Sequence, residues 1–193
     1  GGVRRYGMNI RLCDCAAAAD YLINMPVLKG HCQTLITCAL KTTKGLLPNA
    51  EKRRFHTLGL HRPIAHLNTL IPDSFILVDN ICGDLDFEDG GESGGDGQDF
   101  SGSDPVLCDT YVCHLLNYET EEVPYIKIAE KLGVGSADFS KAVLRACNEQ
   151  EHSVHVPVKR KIVELQDAVE EVESCSACYG YLIPALDQLK DGR

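Results

Sequence analysis

Between residues 20 and 132, short runs of β-type side chains alternate with segments whose apolar residues recur at helical spacing, and this alternation points to an α/β fold. Residues 20–29 read as a buried strand bounded by Pro26 and Gly30. Residues 31–44 read as a helix stopped by Gly45 and Pro48, and residues 62–70 as a second helix with Pro63 in its first turn. Phe75-Ile76-Leu77-Val78-Asp79 is the clearest strand, and the carboxyl end of a strand is where α/β folds place their chemistry, which singles out Asp79. Residues 82–104 hold seven glycines and eight acids and read as an exposed loop. Asp104 suits an N-cap with Pro105 at the first helical position, opening a helix to about Leu116, and residues 122–132 form an amphipathic helix closed by Gly133. Further on, Val154-His155-Val156-Pro157-Val158 reads as a short edge strand, and residues 159–172 and 178–189 as two helices.

The expected architecture is a mainly parallel or mixed sheet flanked by helices, with a C-terminal helical appendage. Residues 1–150 form the α/β domain, in which 20–28 and 75–79 are neighbouring buried strands; residues 151–193 form a helical segment carrying a Cys-x-x-Cys pair. With 193 residues, 44% of them hydrophobic, the chain can bury a core. Its apolar runs fall far short of the ~20 residues of a membrane span, and no apolar segment follows Arg4-Arg5 as in a secretory leader, so a cytoplasmic location is expected. The opening Gly1-Gly2 fits a chain that starts inside a longer protein.

The net charge of -9 is segregated. Between Lys29 and Arg62 seven Lys or Arg stand against one acid, Glu51, whereas between Pro72 and Glu151 eighteen acids stand against four bases. One basic stretch in an acidic chain, without interleaved aromatics, points to an anionic small ligand or an acidic partner and away from nucleic acid.

Ten cysteines without a secretory segment read as reduced thiols or metal ligands, not as a disulfide framework. Cys32, Cys38, Cys82, Cys108, Cys113 and Cys147 read as small buried hydrophobes. Cys175 and Cys178 sit just before a helix, where the N-terminal dipole favours the thiolate. A tetrahedral zinc or an iron-sulphur centre needs about four ligands, and Cys13 and Cys15 supply the other two only if the chain ends meet. A redox-active Cys175/Cys178 pair and plain thiols are the alternatives. In the acidic loop, Asp84, Asp86 and Glu88 imitate the first ligands of a calcium loop, but Asp89 stands where such a loop needs glycine and Gly95 where it needs glutamate.

Lys29, His31 and Lys41 form a second constellation: a cation and an imidazole after one strand, then a lysine on the next helical segment. Ammonium groups there hold a carboxylate or phosphate, and histidine serves as base or ligand near neutral pH. Because parallel neighbours bring their carboxyl ends to one rim, Lys29, His31, Lys41 and Asp79 are expected around one cleft, Lys41 only if its helix starts late or folds back. His56, His61 and His66, five residues apart, do not share a helix face.

The stretch Asn24-Met25-Pro26-Val27-Leu28-Lys29-Gly30-His31 with Thr34, followed by Ala39-Leu40-Lys41 and Lys44-Gly45-Leu46-Leu47-Pro48, resembles the lysine-x-histidine segment and the following lysine-bearing helix of the domain of unknown function 362 family. Lys52-Arg53-Arg54-Phe55-His56, Gly59-Leu60-His61, Val78-Asp79-Asn80-Ile81 and Ser103-Asp104-Pro105-Val106 with Asp109 match the same pattern in order, over roughly residues 20–146. The resemblance implies that the chain is the C-terminal half of the family domain, and it implies a link to iron-sulphur centres and ferredoxin modules. The acidic loop is longer than the family's short acidic turn.

Three functions follow as expectations. One is a domain binding an anionic small molecule or cofactor through Lys29, His31, Lys41 and Asp79. The second is an iron-sulphur or zinc electron-transfer module on Cys13, Cys15, Cys175 and Cys178 with a redox partner protein, and the third an interaction domain using the acidic loop. No nucleic-acid or membrane partner is expected. No P-loop, dinucleotide fingerprint or nucleophile elbow assigns a reaction.

Overall fold

The computed structural model describes residues 3–5, 8–72, 74–81, 83–86, 99–145, 147, 161–170, 172 and 176–190. The expected strand at 154–158, Cys82, Cys175 and most of the acidic loop lie outside them.

The chain opens with an antiparallel hairpin, β1 (Val3–Arg5) and β2 (Met8–Ile10), followed by the short α1 (Asp14–Ala17). β3 (Leu22–Asn24) comes next, and a second hairpin pairs β4 (Lys29–His31) with β5 (Leu35–Thr37). Helices α2 (Ala39–Thr42), α3 (Asn49–Thr57) and α4 (His61–Asn68) lead to β6 (Ser74–Val78), which runs parallel to β3 with Ile23 opposite Phe75. β7 (Phe100–Gly102) then adds antiparallel to β6, so the three-stranded sheet is mixed, in the order β3-β6-β7. Helices α5 (Pro105–Leu115), α6 (Pro124–Lys131), α7 (Lys161–Gln166) and α8 (Ser176–Lys190) complete the α/β architecture.

The expected helix over 31–44 is half wrong. Leu35-Ile36-Thr37 is a β-type triplet that pairs back onto Lys29–His31, and helix begins only at Ala39. α3 escapes the sequence pattern because Pro48 reads as a helix stop, whereas it stands directly before the first turn of α3. Within the expected loop, β7 forms at 100–102.

Residues 20–28 and 75–79 do run side by side, joined further by a parallel bridge between Val27 and Asp79. They are not buried on both faces. Ile76 and Val78 of β6 enter the core, while Ile23 and Phe75 are 62% and 41% exposed. The core joins that inner face to Leu40 of α2, Phe55 of α3, Ile64 and Leu67 of α4, Val112 of α5 and Ile126 of α6. Each such side chain contributes about 1.5–3 kcal/mol of burial. Asn68 stitches the helices together: its Nδ2 donates to the carbonyls of Leu40 and Ile64.

Candidate functional site

The second hairpin carries the residues that the charge pattern singled out. Opposed residues of a β-pair share a face, as do alternate residues of one strand. Lys29 is paired with Thr37 and His31 with Leu35, so Lys29, His31, Leu35 and Thr37 lie on one face of the hairpin. Lys41, in the first turn of α2, joins them because its Nζ donates to Thr37 Oγ1 at 3.0 Å. Late initiation of the helix at Ala39 makes this reach possible. His31 is 4%, Thr37 7% and Lys41 9% exposed, and Lys29 is half-buried.

His31 is oriented by its own turn. Its Nδ1 accepts the amides of Gln33 and Thr34, at 3.1 and 3.2 Å, which leaves the neutral ring's proton on Nε2. The turn is tight enough that Leu35 adopts φ 60°, a left-handed conformation that costs a non-glycine residue about 1–3 kcal/mol and is tolerated where surrounding packing enforces it. His61 lies against the same turn: it stacks on Tyr125 with ring centroids 5.9 Å apart, and Tyr125 Oη donates to the Ile36 carbonyl at 3.5 Å. Burial lowers the pKa of His61, opposed by a hydrogen bond to the Gln33 backbone.

Asp79 reaches this region through its backbone. Its amide donates to Pro26 O at 2.9 Å and its carbonyl accepts from Leu28, the residue before Lys29, at 2.8 Å. Its Oδ1 accepts the Ile81 amide at 2.8 Å, folding the chain into a turn that carries it past β4. There Gly30 donates to Asp84 O at 2.8 Å, and a Cβ on Gly30 would stand 2.5 Å from Asp86 O. The glycine between Lys29 and His31 is therefore required by the close approach of this segment. The structure sets Lys29 opposite Thr37 and bonds Lys41 to Thr37, with His31 two residues along the same hairpin face and Asp79 a backbone neighbour of the strand's entry. Thr37 and Tyr125 escaped sequence reasoning, because only pairing across the hairpin marks the Leu35-Ile36-Thr37 triplet as a strand.

Beneath the hairpin, Asp109 of α5 is fully buried, and its Oδ1 accepts the Leu40 amide at 3.3 Å in the first turn of α2. Desolvation pushes its pKa up to about 7; hydrogen bonding to the Leu40 backbone, the Cys38 thiol and the Tyr125 hydroxyl opposes the shift. By distance and angle, Oδ2 has no partner among the described residues. Those two side-chain donors are thus adjacent but poorly aligned, and burial sets the direction.

The expected cysteine ligands fall only partly within the described residues. Cys13 is half-buried at the start of α1, Cys15 is exposed on it, and Cys178 is exposed on α8, while Cys175 is outside the described residues. Among the described residues no group of three or more His, Cys, Asp or Glu is placed to hold a metal ion. Cys32, Cys38, Cys108 and Cys113 are buried as expected, but Cys147 is exposed. Of the other described imidazoles, His56 Nε2 meets Lys44 Nζ at 2.9 Å, and His66 is buried in α4.

The family model of a domain of unknown function, number 362, matches residues 3–114. The chain belongs to this family. The match covers β1 through α5, the elements that build the second hairpin and its surroundings. It lies on the N-terminal part of the chain, beginning before residue 20 and ending before residue 146, and the reading as a C-terminal half is corrected accordingly. No curated protein and no solved structure matches the chain. Among the described residues no helix is long and apolar enough to cross a membrane.

Proposed function

We propose that this member of the family binds the anionic group of a small molecule, a phosphate or a carboxylate, at the face formed by Lys29, His31, Thr37 and Lys41. One observation carries the reading: Lys29 stands opposite Thr37, and the ammonium of the buried Lys41 is bonded to the Thr37 hydroxyl, so two cations and an oriented imidazole share one side of a short hairpin. Ammonium groups recognise phosphate and carboxylate oxygens through charge-assisted hydrogen bonds. Thr37 Oγ1 and a His31 Nε2 proton add neutral donors. In this reading Asp79 is a positioning residue, whose backbone sets the entry of β4 and whose turn brings the 83–86 segment over Gly30.

The test is titration of the 193-residue protein with inorganic phosphate and with citrate, followed by calorimetry and by the imidazole NMR signals. Saturable binding that moves the His31 signal is expected, and Lys29→Gln is expected to weaken it by about 1–3 kcal/mol, the scale of one charge-assisted hydrogen bond. Binding unchanged by both Lys29→Gln and Lys41→Met would place the anion elsewhere and remove the proposal.

A further inference from the structure

Two apolar surfaces on this chain lack a covering layer among the described residues, and they are complementary in kind. The first is the outer face of the β3/β6 pair. Tyr21, Ile23, Met25 and Val27 alternate along one chain segment and are 59%, 62%, 64% and 41% exposed, with Phe75, 41% exposed, opposite Ile23. The intervening Pro26 and Leu28 are buried on the inner side. The helices of the core cover only the inner face of this sheet and leave a contiguous row of large apolar side chains on the outer one. The second surface lies on α8. Tyr179 and Ile183 pack inward with Leu165 and Cys32, while Cys178, Tyr181, Leu182, Ala185 and Leu189, at spacings of three, one, three and four, form an outward stripe. Tyr181 is 80% and Leu189 72% exposed.

We infer that the chain forms a two-fold homodimer in which the α8 stripe of each subunit covers the bare β3/β6 face of the other. The sheet needs a helix, and the helix needs an apolar bed. From the fractional exposures and ~150–250 Å² per large side chain, the sheet face offers on the order of 600 Å² and the stripe on the order of 400 Å². A reciprocal pairing in which each stripe covers a matching area of sheet therefore buries about 800 Å² per subunit, the size per partner of a standard stable interface. A two-fold arrangement satisfies both surfaces at once and closes.

Sedimentation equilibrium of the 193-residue chain tests this, with twice the monomer mass of 21.1 kDa expected. Ile23→Lys on the sheet and Tyr181→Asp on the helix are each expected to weaken association at least about tenfold, while Val143→Asp, at a 77% exposed position off both surfaces, leaves it unchanged. Mixing Ile23→Lys with Tyr181→Asp is expected to recover dimer, because the mixed pair restores one intact helix-on-sheet contact that neither variant makes alone. Circular dichroism checks that each variant folds; Met25→Lys and Leu189→Asp serve as the second pair if one does not. A wild-type monomer at every concentration overturns the inference, as does a Tyr181→Asp protein that still dimerises, or a mixture that stays monomeric. A sheet covered by another part of the same protein, or by a different partner, gives the first of these results.

Discussion

Asp109 shows how one buried carboxyl couples the hairpin's supporting helix to pH. Its folded pKa, near 7, lies above the ordinary 3.8, so between these values the folded protein holds a proton that the unfolded chain has lost. Protonation there favours the fold. This contribution is complete below about pH 4 and is lost as pH rises through 7; at ~1.4 kcal/mol per pKa unit it amounts to a few kcal/mol. Urea midpoints are expected to fall between pH 5 and pH 7.5 in the wild type and to change less in Asp109→Asn; parallel pH profiles would rule the assignment out. The thiols give a second readout at this scale. Burial pushes Cys108 up to about 12 and raises Cys38 and Cys113 strongly, so these three are expected to react with a thiol reagent only on unfolding, while Cys15, Cys147 and Cys178 react in the native state. Rapid native modification of Cys38 would contradict the packing described. Lys29, His31 and Asp109 were visible in the sequence as types at marked positions. That His31 donates through one particular nitrogen was not, because it depends on two amides brought back by the turn.

At the scale of elements, the ends of α5 and α6 share a design with different residues. Tyr118 N donates to Cys113 O after α5, and Val134 N to Ala129 O after α6, each following a residue in the left-handed region: Asn117 at φ 54° and Gly133 at φ 77°. Gly133→Ala is expected to cost about 1 kcal/mol, and Asn117→Gly to be neutral or to stabilise by a few tenths, since glycine enters that conformation without a Cβ penalty. Chemical denaturation reads both, and a Gly133→Ala variant as stable as wild type would show that the helix end relaxes. Local signals of this kind were fully legible: Asp104 does cap α5, its Oδ1 accepting the amides of Val106 and Leu107 at 2.8 and 3.0 Å, with Pro105 at the first position. Leu35-Ile36-Thr37 is illegible as a strand because three residues have no periodicity of their own. Only the partner across the hairpin makes it one.

On the scale of the molecule, α7 is joined both to the family region, where Ile162 is buried in the main core, and to α8. Gln166 Nε2 of α7 donates to the Cys32 carbonyl at the hairpin turn, and Lys161 Nζ bridges to the largely buried Asp187 of α8 at 2.7 Å. Lys161→Ala leaves Asp187 without this cation, and breaking a sheltered pair costs more than making it gained. Faster amide exchange in α8 than in α5, by a factor corresponding to about 1–3 kcal/mol, is the expected result. Equal protection of α8 in the variant would show that Tyr179 and Ile183 hold the helix unaided.

The sequence by itself determined the α/β class, the parallel pairing of the 20–28 and 75–79 segments, the capped helices and the cationic character of the Lys29–Lys41 stretch. These depend on period, turn chemistry and charge, which are properties of neighbours along the chain. Only the tertiary structure decided that Thr37 joins the lysines, that Asp79 meets the chain before Lys29 through its backbone, and that no described element covers the β3/β6 face or the α8 stripe. Each of these depends on which distant residues share a face, and apolar alternation reads the same whether or not a layer covers it.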